Sequence, residues 1–289
     1  MATRAKGTLI PIGGNEHKGG GLNETKTMEF IQVGILAQIV KESGGPNGHF
    51  VIIPTASAIP LEVGENYLEA FGMLGCANVH VMDIRKKEES ENPEYIALIE
   101  KANCVMFSGG DQSKITNKIG GSTIHKILEQ RYKEEEGFVI AGTSAGAMAM
   151  SKEMIAGGNP ADSFIKGAVR MYRGLGLAPD IMFDTHFIQR GRFGRITQAV
   201  AKFPNLLGIG LAEDTGLIIK NEESMKVIGT GMVIIFDGSE LMHNNEAILD
   251  KGTPMTVTNL KVSVLSNSDI YHIDTKKVEA LPINADFEY

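Results

Sequence analysis

An apolar run, Phe138-Val139-Ile140-Ala141, leads into Gly142-Thr143-Ser144-Ala145-Gly146-Ala147, a Gly-x-Ser-x-Gly string followed by small residues. Glycines on either side of the serine let the chain reverse within a few residues, lifting the Ser144 hydroxyl to the end of a strand and the start of a helix. That arrangement is a nucleophile elbow, and the chemistry it suits is acyl transfer by a serine hydrolase. The string alone also arises by chance as a Ser/Gly-rich loop; the strand before it and the helix start after it favour the functional reading.

A hydroxyl attacks only when a base takes its proton, so one of the seven histidines must serve. His49 and His80 lie in early strand-like runs, His125 in a charged helical stretch, and His243 and His272 in a late β region, where a structural role is the simpler reading. His17 follows Gly13-Gly14-Asn15-Glu16 and could line a cleft, but nothing in the sequence orients it. His186 differs, because Ile181-Met182-Phe183-Asp184-Thr185-His186 brings a strand to its end at the imidazole. Beyond it, Gln189-Arg190-Gly191-Arg192-Phe193-Gly194-Arg195 concentrates guanidinium groups suited to binding anions; in isolation such a run would read as a solvated basic loop. An acid should hold the imidazole tautomer, and Gly208-Ile209-Gly210-Leu211-Ala212-Glu213-Asp214 offers Glu213 and Asp214, with Asp184 also in play. Spacing leaves that choice open, with a preference for Glu213.

Val105-Met106-Phe107-Ser108-Gly109-Gly110-Asp111-Gln112 is a strand ending in a glycine pair, just before the nucleophile strand. Backbone N–H groups of Gly109 or Gly110, with Ala145, would suit an oxyanion hole, and Gln112 would suit substrate binding. The plainer alternative is a tight strand-to-helix turn. None of this chemistry requires a metal ion or cofactor.

The elements that must position these groups follow from hydrophobic periodicity. Short β-branched runs at Thr8 to Ile12, His49 to Pro54, Asn78 to Met82, Cys104 to Phe107 and Phe138 to Gly142 read as buried strands. Between and after them, Thr27 to Glu42, Glu62 to Leu74, Pro93 to Ala102, Ser122 to Glu135 and Arg195 to Lys202 read as helices. The pattern predicts an α/β fold with a mostly parallel central sheet and helices on both faces, whose ligands sit beyond the carboxyl ends of the strands. Thr215 to Lys220, Met225 to Phe236 and Thr256 to Ile273 read as later strands, a C-terminal antiparallel extension over about residues 217–289 of one domain spanning 1–289.

Composition agrees with a folded globular protein. The chain has 289 residues, 43% of them hydrophobic, and a net charge of −7, which opposes general nucleic-acid binding. The start, Met1-Ala2-Thr3-Arg4-Ala5-Lys6, lacks the apolar region of a secretion signal, and no run approaches the ~18 apolar residues of a membrane span, so a cytoplasmic protein is expected. Cys76 and Cys104 sit in apolar surroundings and read as buried thiols.

Together these segments resemble the cyanophycinase group of the serine peptidase family that also includes aspartyl dipeptidase. The resemblance spans most of the chain, from Gly7-Thr8-Leu9-Ile10-Pro11-Ile12-Gly13-Gly14 through Ser108 to Gln112, the Ser144 elbow and Asp184 to Arg195, to Ala212-Glu213-Asp214-Thr215. It implies a fold akin to class I glutamine amidotransferases, a homodimer, and a Ser144-His186-Glu213 triad. It also implies cyanophycin as substrate, a poly-aspartate whose side chains carry arginine, cut exolytically into β-Asp-Arg dipeptides. Gln112, Asp184, Thr185, Arg190, Arg192 and Arg195 would then line the substrate site, the arginines gripping carboxylates and Asp184 or Gln112 taking the arginyl group. Thr185 stands where the family pattern has glutamine, and Asn15-Glu16-His17-Lys18 departs from its usual Gly-Gly-Ala-Glu-like run. These differences keep a peptidase for other aspartyl or isoaspartyl peptides as an alternative. A non-catalytic binder of arginine-bearing acidic polymers would have no need of the triad, and a glutamine amidotransferase would carry cysteine at the elbow.

Overall fold

Five apolar runs pair as parallel strands: β1 (Thr8–Ile12), β2 (His49–Ile53), β3 (Asn78–Val81), β4 (Cys104–Phe107) and β5 (Val139–Thr143), in the spatial order β1-β5-β4-β2-β3. The computed structural model describes residues 4–20 and 24–280; expectations for the first three residues and for residues 281–289 of the β extension lie outside the described residues. Strands β1, β4 and β5 are buried along their whole length, as strands covered on both faces must be.

Successive side chains on a strand point to opposite faces, and the core divides accordingly. Leu9, Val51, Val105 and Ile140 enter one apolar cluster, while Ile10, Ile52, Met106 and Ala141 enter the other. The second face is covered by α1 (Glu24–Val33), α2 (Ile35–Glu42) and α3 (Pro60–Met73), and the first by α4 (Pro93–Lys101), α5 (Gln112–Ile119), α6 (Thr123–Glu134) and α7 (Ala145–Met150). Side chains mark three of the helix starts: Asn92, Asp111 and Ser122 accept from the backbone N–H of Glu94, Ser113 and His125. The single helix expected over Thr27 to Glu42 is two, because the backbone extends at Gly34 (ψ 154°).

A hairpin, β6 (Glu153–Gly157) with β7 (Arg170–Arg173), follows α7. Next comes a separate four-stranded sheet: β8 (Ile181–Asp184) and β9 (Leu207–Leu211) are parallel and are joined by α8 (Phe193–Lys202), while β12 (Val233–Asp237) and β13 (Lys261–Leu265) add antiparallel. Antiparallel β10 (Thr215–Lys220), β11 (Ser224–Gly229), β14 (Ile270–His272) and β15 (Lys277–Glu279) extend the first sheet beyond β1 to nine strands. The expected continuous strand from Met225 to Phe236 is therefore two strands in different sheets. Gly229 turns at φ 93°, Thr230 N–H donates to the Asp214 carbonyl (2.8 Å), and Gly231 N–H donates to Thr215 Oγ1 (2.9 Å), carrying the chain across. The C-terminal extension is thus divided between two sheets. Among the described residues no helix is long and apolar enough to cross a membrane.

Candidate active site

Strand β5 ends at Thr143, and Ser144 takes φ 51°, ψ −110° before α7 begins at Ala145. Its backbone N–H is held by the Ile12 carbonyl of β1 at 2.9 Å. The flanking glycines are required by space as well as by turn geometry. A Cβ on Gly142 would lie 2.6 Å from the Gly146 carbonyl carbon, and one on Gly146 would lie 2.4 Å from the Phe107 carbonyl oxygen.

His186 follows β8 in the second sheet and reaches across to this turn. Its backbone N–H donates to the Gly13 carbonyl (2.8 Å), and its ring packs so closely on Gly14 that a Cβ there would lie 2.4 Å from Cε1. Ser144 Oγ lies 2.9 Å from His186 Nε2, and Nδ1 lies 2.7 Å from Glu213 Oε1. Glu213 follows β9, and the next residue, Asp214, donates its N–H to the Gly14 carbonyl (2.8 Å). Of the three acids left open by the sequence, Glu213 is the one that contacts the imidazole: Asp214 instead accepts from His17 N–H and Thr230 Oγ1, and Asp184 lies in the interior. Asn15, Ser144, His186 and Asp214 all have φ between 47° and 52°, a region costly for residues with a Cβ. Four such residues at one place mark a site where local strain is held by the surrounding fold.

The electrostatics suit proton transfer. Hydrogen bonds from the Asn15 side chain and then from His186 hold the Glu213 carboxyl below its ordinary range. Burial pushes His186 down, partly opposed by its hydrogen bond to Glu213 and reinforced by the Arg190 charge. A neutral imidazole with its proton on Nδ1 toward the carboxylate would leave Nε2 to accept from the serine.

Ser144 and His186 open onto a cavity of about 400 Å³ whose wall includes Gly109, Gly110 and Arg190. A Cβ on Gly109 would lie 3.4 Å from that of Ser144, so the β4 glycine turn sits directly beside the nucleophile. Among the described residues, the backbone N–H groups of Gly109, Gly110 and Ala145 have no acceptor, and Ala145 is 1% exposed. Helix start and glycine turn therefore offer unused donors next to the hydroxyl. His17 lines a different cavity of about 270 Å³, with Phe30 and Asp214.

The expected substrate residues fare differently. Arg190 lines the cavity, but Asp184 and Thr185 are fully buried and Arg195 is 4% exposed. Arg195 Nε donates to Asp184 Oδ2 (2.7 Å) and its Nη2 to Oδ1, while Arg192 Nη1 donates to Asp184 Oδ1 (2.9 Å) and to the Thr185 carbonyl (2.7 Å). A buried carboxylate must be paired, and the guanidinium groups assigned from sequence to substrate are the partners it takes. Gln112 donates Nε2 to the Ile155 carbonyl (2.8 Å) and is absent from the cavity wall. Asp184, Arg192, Arg195 and Gln112 are thus engaged within the protein, and the Thr185 main chain meets Asp184 and Arg192, while the buried Thr185 hydroxyl and Arg192 Nε have no partner among the described residues.

Sequence reasoning passed over Asn15, Glu16, Lys18 and Tyr67, all on the cavity wall. Glu16 is buried and accepts from Tyr67 Oη, Thr143 Oγ1 and Lys18 Nζ. The signal for the first three was their place in the glycine-rich loop after β1, at a strand's carboxyl end. Tyr67 has no comparable signal, since it follows ordinary helical core spacing.

Residues 19–227 match Peptidase family S51. Over 273 residues, the chain is 35% identical to a cyanophycinase of Trichormus variabilis, covering 94% of this chain and 88% of that protein. A cyanophycinase of Geminocystis herdmanii is 32% identical over 275 residues, 95% and 97% of the two chains. In three dimensions the fold is similar to a peptidase from an acI-B1 actinobacterium, with TM-score 0.65 and 19% identity over 94% of this chain and 98% of the other. A putative peptidase E from Listeria monocytogenes has TM-score 0.52 at 18% identity, covering 78% and 98%.

Proposed function

The chain belongs to peptidase family S51, and from that membership we propose that it is a serine exopeptidase hydrolysing cyanophycin to β-Asp-Arg dipeptides. The observation that carries the reading is the Ser144 to His186 to Glu213 relay, with contacts of 2.9 and 2.7 Å at the edge of a cavity bearing Arg190. His186 Nε2 takes the hydroxyl proton as Ser144 attacks an aspartyl backbone carbonyl, and the proton passes to the leaving amine as the acyl-enzyme forms. N–H groups of Ala145 and of Gly109 or Gly110 hold the developing oxyanion, each contributing about 3 kcal/mol. Water, activated by the same imidazole, then releases the product.

The same proposal includes a single catalytic domain, a cytoplasmic location and a homodimer. Light scattering of the purified protein tests the last of these. Incubation with insoluble cyanophycin, followed by mass analysis of the soluble fraction, tests the activity: β-Asp-Arg is expected, and its absence from fully folded enzyme rejects the substrate.

One observation favours a second reading, a peptidase for other aspartyl or isoaspartyl peptides. The acid on the cavity wall, Glu16, is buried, and Asp184 is already paired, so neither is open to a substrate guanidinium. Comparing kcat/KM for β-Asp-Arg oligomers with that for short Asp-x peptides separates the two.

A further inference from the structure

The cavity beside Ser144 holds an ammonium group that the mechanism above leaves unused. Lys18 stands on its wall with its side chain 32% exposed. Its Nζ lies 3.0 Å from Glu16 Oε1, 3.3 Å from the Glu16 carbonyl and 5.1 Å from the centre of the Tyr67 ring. An ammonium carries three donors, and among the described residues only Glu16 accepts from this one, so a donor remains for a ligand.

Glu16 is fully engaged: its side chain is 0% exposed and also accepts from Tyr67 and from Thr143, the residue just before the nucleophile. The buried acid thus fixes the lysine against the strand end that carries Ser144 and is itself withdrawn from any ligand. The second cation on the wall is Arg190, which is exposed, and no exposed carboxylate on that wall opposes the pair. The accessible charge of the cavity is positive, which suits an anionic group on the substrate.

We propose that Lys18 is a specificity-determining residue that binds a free carboxylate of the acidic peptide attacked by Ser144, an inference that rests on the peptidase reading above. In an arginine-bearing poly-aspartate two kinds of carboxylate present this chemistry, the α-carboxylate of an arginyl branch and that of the chain end.

The test uses full-length enzyme and short β-Asp-Arg oligomers in three forms: free acid, amidated at the chain end, and amidated at the arginyl branches. The wild type is expected to prefer the free acid over one amidated form by about tenfold or more in kcat/KM, the size of a charged hydrogen bond, and the form that suffers identifies the carboxylate bound. Lys18→Met should erase that preference and Lys18→Arg should retain most of it. If Lys18→Met does not fold, Lys18→Gln reads the same ratio. An undiminished preference in a folded Lys18→Met or Lys18→Gln variant, or a wild type indifferent to both amidations, overturns the proposal. Should the wild type cleave no arginine-bearing oligomer, the cyanophycin reading fails separately, and the same ratios on plain aspartyl peptides still decide the role of Lys18.

Discussion

Replacing Glu213 with Gln keeps the size of the side chain and removes the charge that faces the imidazole. Glu213 Oε1 is 2.7 Å from His186 Nδ1. At that separation a unit charge pair is worth about 6 kcal/mol at an effective dielectric near 20. The Glu213 side chain is 26% exposed, so screening by solvent reduces this to about 3 kcal/mol. That energy is realised only when the imidazole becomes imidazolium in the transition state, so kcat/KM should fall by about two orders of magnitude. A glutamine oriented with its NH₂ toward Nδ1 would also select the wrong tautomer and deepen the loss. The pH profile moves in a direction of its own. Burial lowers the His186 pKa, while the contact with Glu213 works against that shift. Removing Glu213 removes the opposing contribution, so the imidazole should stay neutral to lower pH and the acid limb of kcat/KM should shift downward. Steady-state kinetics from pH 4 to pH 9 on protein with an unchanged melting temperature would test both effects. A fall of less than threefold, or an acid limb displaced to higher pH, would refute the assignment of Glu213 as the group that stabilises the imidazolium.

Ser144→Ala should lower turnover by at least about 10³-fold while a cyanophycin oligomer still binds, measurable by single-turnover assay and calorimetry. Asp184→Asn leaves Arg192 and Arg195 without their buried anion and should cost about 3 to 5 kcal/mol in denaturant unfolding; unchanged stability with a raised KM would return Asp184 to the substrate site. Gly146→Ala drives a methyl group against the Phe107 carbonyl and should destabilise by about 2 kcal/mol or more, seen as a melting temperature lower by several degrees.

Much of the first sheet is legible from local pattern alone. The Thr8 to Ile12 and Cys104 to Phe107 runs coincide with β1 and β4, because a strand buried on both faces must be apolar throughout and ends where glycine or serine begins. The helix breaks at Gly34 and the strand breaks near Gly229 for reasons of backbone direction that apolar periodicity does not carry. The elbow is legible for a further reason, since Gly142 and Gly146 lack a Cβ at points where one would meet main-chain atoms.

The chemistry of each candidate group was present in its residue type and in its place, a hydroxyl at Ser144, an imidazole at His186 and a carboxylate at Glu213 just past the carboxyl ends of strands, and a cation at Arg190 in the loop that follows His186. Which of them meet was decided by tertiary structure. Ser144 belongs to the first sheet, while His186 and Glu213 follow neighbouring strands of the second, and the hydrogen bonds of Gly13 and Gly14 to His186 and Asp214 bring the two ends together. The interior also decided that Asp184 takes Arg192 and Arg195 for itself. A residue's type sets what it can bind, but a charge enclosed by the fold must be satisfied there first, and only the three-dimensional arrangement determines which groups are enclosed.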